Sequence, residues 1–251
     1  MINYIDIFIM QRKSYLAPDS LRYYLENLSR FEKWLSLNHL QILDVTPDNL
    51  RQYIIYLGLT GIKNVSIHTY YRAVKIFYSW LYQEGYIDID ITQRIKLPKD
   101  DSEIVLPLTK DEVAAIDYYI INSDLDLRNY CIFHLLLDCG LRRQEVINLT
   151  SDCIRKNTLT IRNSKNNKSR IVLLPDFLRL NINNYLGNRS GIVFLDRYNK
   201  NPITISTIKK LFANIKNLPG MKRVHAHLLR HTFATSYLYY GGNMEMLRLL
   251  M

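Results

Sequence analysis

Cysteine is scarce in this sequence: Cys131, Cys139 and Cys153 are the three present in 251 residues, and no two of them form a CxxC pair. An odd count at such spacing excludes a disulfide framework or a zinc ribbon and points to reduced thiols in a core. Long apolar runs are missing too. Nothing approaches the ~18 to 20 residues needed to cross a bilayer. The opening MINYIDIFIMQRKSY carries Asp6 and then charged residues, without the cleavage pattern of a secretory leader. The chain is therefore expected in the cytoplasm, with no membrane attachment. Internal repeats and low-complexity tracts are absent. Acidic side chains run short in one region: from 155 to 230 only Asp176 and Asp196 face 16 Lys or Arg. Metal-dependent nuclease chemistry needs clustered carboxylates, and this region does not supply them.

What is present is apolar mass and positive charge. Hydrophobic residues make up 48% of the chain, enough to bury a sizeable core, and 251 residues fit two small domains. The net charge is +10 and the isoelectric point about 9.4, which calls for an acidic partner such as nucleic acid or a membrane surface. The excess is local: residues 1–100 hold 12 basic against 10 acidic side chains.

Along the chain, Pro18, Asp19 and Ser20 precede Leu21, Tyr24, Leu25, Leu28, Phe31 and Leu35 at helical spacing. Thr46 and Pro47 open a second helix, interrupted at Gly61, and a third begins near Ser66 and ends at Gly85. Residues 1–96 thus read as a small all-helical domain with Tyr, Arg and Lys on its polar faces. The polar stretch 97–107, closed by Pro107, reads as a linker to a second domain over 108–251. Thr109 and Glu112 form a capping-box pattern, and RNYCIFHLLLDCG is apolar nearly all round, as a buried helix is. A hairpin is expected from Thr158 to Arg162 and Arg170 to Leu174, turning at Asn166 and Asn167, followed by a helix over PDFLRLNINNYL. A short strand over 192–195 and a helix over 206–217 complete the reading of this region.

Three motifs carry chemistry. At 225–235 the run HAHLLRHTFAT sets His227 and Arg230 three apart on a helix, one turn from each other. A ring that titrates near neutrality beside a permanent planar cation suits a substrate bearing a phosphate, and it is equally the make-up of an ordinary helix surface. Zinc binding by His227 and His231 fails on chemistry, because Leu228 stands where a catalytic glutamate belongs and Arg230 adds a cation. The second motif follows Gly140: Leu141, Arg142, Arg143, Gln144, Glu145, in which Glu145 is placed to hold Arg142. The third is the hairpin tip with Lys165 and Lys168, either solvated or suited to a groove of DNA.

In this order and spacing, Gly-Leu-Arg142-x-x-Glu145, a Lys165 hairpin, then His227-Leu-Leu-Arg230-His-Thr-Phe-Ala-Thr, the chain resembles the tyrosine recombinase, or phage integrase, family over nearly its whole length. The resemblance implies a mainly α protein: an all-helical SAM-like core-binding domain, then a helical catalytic domain with a small β-hairpin. It implies site-specific DNA strand exchange through a 3'-phosphotyrosyl intermediate, with no metal and no nucleotide cofactor. Arg142 and Arg230 are expected to grip the scissile phosphate, Lys165 to protonate the leaving hydroxyl, His227 to handle the attacking hydroxyl's proton and Glu145 to orient Arg142. Backbone contacts to DNA are expected from Arg143, Lys168, Arg170, Lys209, Lys210, Lys222 and Arg223. The partners implied are a double-stranded recombination site and further copies of the chain, as a tetramer on paired sites. The family's Gly-His segment and nucleophilic tyrosine are expected beyond Met251, so residues 1–251 are expected to bind DNA without cleaving it. The other reading is a degenerate integrase that binds DNA without catalysis.

Overall fold

A computed structural model describes residues 3–99, 104–123, 127–162, 169–198 and 200–251. The chain divides into two compact units, residues 1–103 and 104–251, each built around its own apolar core. Both are mainly helical, and a two-stranded sheet lies in the second. Among the described residues no helix is long and apolar enough to cross a membrane.

The first unit contains α1 (Tyr4–Arg12), α2 (Pro18–Leu37), α3 (Pro47–Leu59) and α4 (Asn64–Gln83). Proline at the start of α2 and of α3 sits where a helix has no use for a backbone N–H. At α3 the Thr46 hydroxyl accepts from the Asn49 amide, while Asn49 accepts from the Thr46 amide at 2.9 Å. The buried faces Leu28, Phe31, Trp34 and Leu35 of α2 and Val74, Phe77, Tyr78 and Leu81 of α4 follow from residues three and four apart. Helix α1 has no counterpart in the sequence reading. Its apolar residues Ile5, Ile7, Phe8, Ile9 and Met10 fall on all sides, so no period marks it. Tertiary packing decides it instead: Phe8 is fully buried and meets Tyr24, Phe77 and Trp80 edge-on, worth roughly 1.5–3 kcal/mol for one such ring.

The described ends of the stretch 97–107 are each bonded within their own unit. Asn64 and His68 reach the carbonyls of Lys99 and Pro98 at 3.0 and 2.7 Å, within the first unit. In the second unit Arg223 and His231 reach the carbonyls of Leu106 and Val105 at 2.6 and 2.8 Å.

The second unit runs α5 (Lys110–Asn122), α6 (Leu127–Leu137), α7 (Arg143–Ile147), β1 (Thr158–Arg162), β2 (Ser169–Leu173), α8 (Asp176–Leu186), α9 (Ile205–Ile215), α10 (Ala226–Tyr239) and α11 (Met244–Leu250). The Thr109 and Glu112 capping box opens α5. Cys131, Ile132, Phe133, Leu135 and Leu136 make α6 the centre of the core, in contact with α5, α8 and α10. All three cysteines are free and buried. The strands pair antiparallel with Leu159 opposite Val172 and Ile161 opposite Arg170. Alternation along β2 turns Arg170 and Val172 inward and leaves Ile171 and Leu173 exposed. The strand expected over 192–195 does not form: Ile192 and Leu195 make isolated bridges to Thr150 and Pro202. Val193 and Phe194 are both fully buried, so the alternation of a strand is broken there.

Candidate active site

Gly140 ends α6 with φ +61°, a left-handed conformation that reverses the chain in one residue. An added Cβ there would lie 2.5 Å from Cδ1 of Phe233 on α10, so the turn also needs the missing side chain. Because of this tight exit Arg142 stands directly ahead of α7, and Glu145, one turn on, reaches back to it. The Arg142 amide donates to Glu145 Oε2 at 2.8 Å and Arg142 Nη1 to Oε1 at 3.0 Å.

Glu145 holds a second cation. Arg170 Nη1 and Nη2 donate to Glu145 Oε1 and Oε2 at 2.6 and 2.7 Å, a two-point fork, and Arg170 Nε donates to the carbonyl of Leu250 at 2.7 Å. The side chains of Glu145 and Arg170 are 9% and 12% exposed, whereas that of Arg142 is 52% exposed. Burial pushes the Glu145 carboxyl up, but the hydrogen bonds from Arg170 and Arg142 outweigh it and hold the group below the ordinary carboxylate range.

Helix α10 brings Arg230 to the same place. Its neighbours Leu228, Leu229 and Thr232 are buried and draw the guanidinium in with them. It donates to the carbonyls of Gly140 and Met251. Burial, with the positive charges of Arg142 and Arg170 behind it, pushes its pKa down to about 10, and Glu145 opposes the shift. Three guanidinium groups around one carboxylate leave a site short of negative charge in surroundings that screen poorly, which favours a bound anion.

The structure brings Arg142, Glu145 and Arg230 together, as the motifs suggested. His227 lies on the exposed side of α10, one turn before the buried Arg230. Lys165 and Lys168 fall outside the described residues. Of the other cations, Arg143, Lys209, Lys210 and Lys222 are exposed. Arg143 and Lys209, with Lys216 and His225, rim an open hollow of about 270 Å³ floored by Ile208, Phe212 and Ala226. Two expected contacts to DNA are placed otherwise. Arg170 is spent on Glu145 and Leu250 at the inner face of the sheet. Arg223 donates to both Glu112 oxygens at 2.8 and 2.7 Å and to the Leu106 carbonyl, closing the start of α5. The part played by Arg170 was missed in the sequence, although the signal was there: it alternates with Val172 and Leu174, so it had to point inward and find a carboxylate.

Among the described residues no group of three or more His, Cys, Asp or Glu could hold a metal ion. Tyr237 lies against Phe233, and Tyr239 and Tyr240 are exposed and packed edge-on against each other.

Residues 107–251 match the phage integrase family, and residues 5–85 match the N-terminal SAM-like domain of phage integrases. Tyrosine recombinase XerC of Staphylococcus carnosus is 24% identical over 98% of this chain and 86% of its own length. Tyrosine recombinase XerD of Rickettsia prowazekii is 25% identical over 99% and 86%. The solved Tn1549 transposon integrase, in complex with circular intermediate DNA, superposes with a TM-score of 0.80 at 19% identity, covering 100% of this chain and 92% of that one. A lambda integrase dimer bound to a core site superposes at 0.79 with 14% identity, covering 99% and 93%. At such identities the two structures share the fold.

Proposed function

Because the chain belongs to the phage integrase family, its function is site-specific DNA recombination, and we propose that its second unit holds the scissile phosphate between Arg142 and Arg230. The observation that carries this reading is the cluster of three guanidinium groups around Glu145, in which Arg230 is buried and donates only to the carbonyls of Gly140 and Met251 among the described residues. A phosphate seated there returns to Arg230 the anionic partner that burial makes costly to lack, displacing the Met251 carbonyl from its fork.

In the reaction proposed, a tyrosine hydroxyl attacks the phosphorus, the P–O bond to the 5' oxygen breaks, and a 3'-phosphotyrosyl link forms. Arg142 and Arg230 stabilise the charge on the non-bridging oxygens. Glu145 keeps Arg142 oriented, His227 takes the proton of the attacking hydroxyl, and Lys165 returns one to the departing 5' oxygen. The covalent link conserves the phosphodiester energy, so the route needs no nucleotide. The attacking hydroxyl is assigned to none of Tyr237, Tyr239 and Tyr240, since all three are turned to solvent or to their own neighbours. Paired DNA sites and an assembly of several copies complete the proposal, and exposed Arg143, Lys209, Lys210 and Lys222 supply backbone contacts.

The test is a nicked duplex from which the cleaved strand diffuses away, incubated with the gene's product and run on a denaturing gel. A covalent adduct is expected, with its rate of formation lowered ~10² to 10³-fold in Arg142→Ala or Arg230→Ala. Binding that shifts the duplex but yields no adduct would refute strand exchange and leave a DNA-binding protein without catalysis.

A further inference from the structure

We infer that Arg170 is a positioning residue: it clamps Glu145 from the sheet, so that Glu145 in turn fixes Arg142 against the phosphate. This rests on the role given above to Arg142 and Arg230. Arg142 is half exposed and stands at the cap of a helix of five residues, so among the described residues Glu145 is what bonds its guanidinium. Glu145 is nearly buried, and its two oxygens each accept one bond from Arg142 and one from Arg170. The bonds from Arg170 are the shorter pair. Arg170 cannot drift either, because the register with Ile161 and the bond to the Leu250 carbonyl hold both ends of its side chain. Orientation therefore passes from strand β2 to the carboxylate and from the carboxylate to Arg142.

The same geometry makes the clamp sensitive to pH once Arg170 is gone. Among the described residues the charged groups around Glu145 are Arg142 at the cap of its own helix, Arg170 on β2 and Arg230 on α10. On α11, Glu245 and Arg248 pair with each other and are exposed. Deleting Arg170 leaves a buried carboxyl with one exposed partner, so burial raises its affinity for a proton. A protonated Glu145 offers one acceptor fewer, and Arg142 is released.

The experiment titrates inorganic sulfate, whose charge does not change over the range used, into the full chain and follows the Nε–Hε signals of Arg142 and Arg230 by NMR between pH 5.5 and 8. Affinities of Arg170→Met are taken as ratios to wild type at each pH, which cancels any pH effect common to both proteins. The ratio is expected to be within about twofold of unity at pH 8 and to fall about tenfold by pH 5.5. Glu145→Gln is expected to be weak at every pH, and adding Arg170→Met to it should change nothing. Arg170→Lys restores one bond and the charge, and should show a smaller acid loss, which also serves if the methionine variant fails to fold. A ratio independent of pH in both variants would assign Arg170 to fold stability alone and overturn the inference. No sulfate-dependent shift at Arg142 and Arg230 in the wild type would overturn the phosphate-holding reading itself, and with it this one.

Discussion

His134, in the middle of α6, gives the sharpest physical prediction. Its Nδ1 lies 2.7 Å from Asp138 and its Nε2 2.9 Å from Asp117 of α5, with the rings of Tyr130, Phe133 and Phe177 around it. Burial alone would push its pKa down. The hydrogen bonds and charges of the two carboxylates outweigh burial and raise it from 6.5 to about 9. Both ring nitrogens then carry protons, and each donates to a carboxylate. Below pH 6.5 the folded and unfolded states are both protonated, and the pair of ion bonds contributes about 3 kcal/mol to the second unit. As pH rises through 9 that contribution is lost. Urea unfolding followed by circular dichroism at a series of pH values measures it. Trp34 and Trp80 both lie in the first unit, so tryptophan emission marks that unit separately. Cys139, whose thiol burial pushes up, also weakens folding in alkali, so wild type is compared with His134→Gln, which keeps Cys139. The stability advantage of wild type should shrink by about 3 kcal/mol between pH 6 and 10. An advantage that stays constant across that range would refute the argument.

Three further perturbations probe how the site is held. Gly140→Ala combines a left-handed backbone, costing about 1–2 kcal/mol, with a Cβ forced against the Phe233 ring, costing about 1–3 kcal/mol more. Urea denaturation should show the sum, and adding Phe233→Ala should recover the second part only. Thr232 accepts from the Leu108 amide at 2.9 Å while donating to Leu228, so Thr232→Val strands a buried donor. A loss of about 1–3 kcal/mol is expected in denaturant melts, with Thr232→Ser close to wild type. Finally, if Lys209 and Lys210 touch the DNA backbone, Lys209→Ala and Lys210→Ala should each lower the salt dependence of binding, with a log–log slope smaller by about 0.9. An unchanged slope would make them solvated surface charge.

Much of the architecture was legible in the chain because local rules and global packing agree there. The periodic faces of α2 and α4, the caps at Thr46 and Thr109, the turn at Gly140 and the alternation of the two paired strands each point to the element that forms. Helix α1 was not legible, since an apolar run without a period takes its conformation from the aromatic cluster around Phe8. The stretch 192–195 misled for the same reason: apolar content without alternation does not specify a strand. At the site, spacing by three residues was enough to tie Glu145 to Arg142, because that contact lies within one helical turn.

What the sequence determined by itself was therefore what depends on near neighbours: the helices with a periodic apolar face or a local cap, and the motif carrying Arg142, Glu145 and Arg230. Only the tertiary structure decided which cations remain available. Arg170 and Arg223 look like Lys209 in a list of basic residues, yet Glu145 lies 25 positions from Arg170 and Glu112 lies 111 from Arg223. A buried charge such as that of Arg170 must find an opposite one, and the fold alone determines which is within reach.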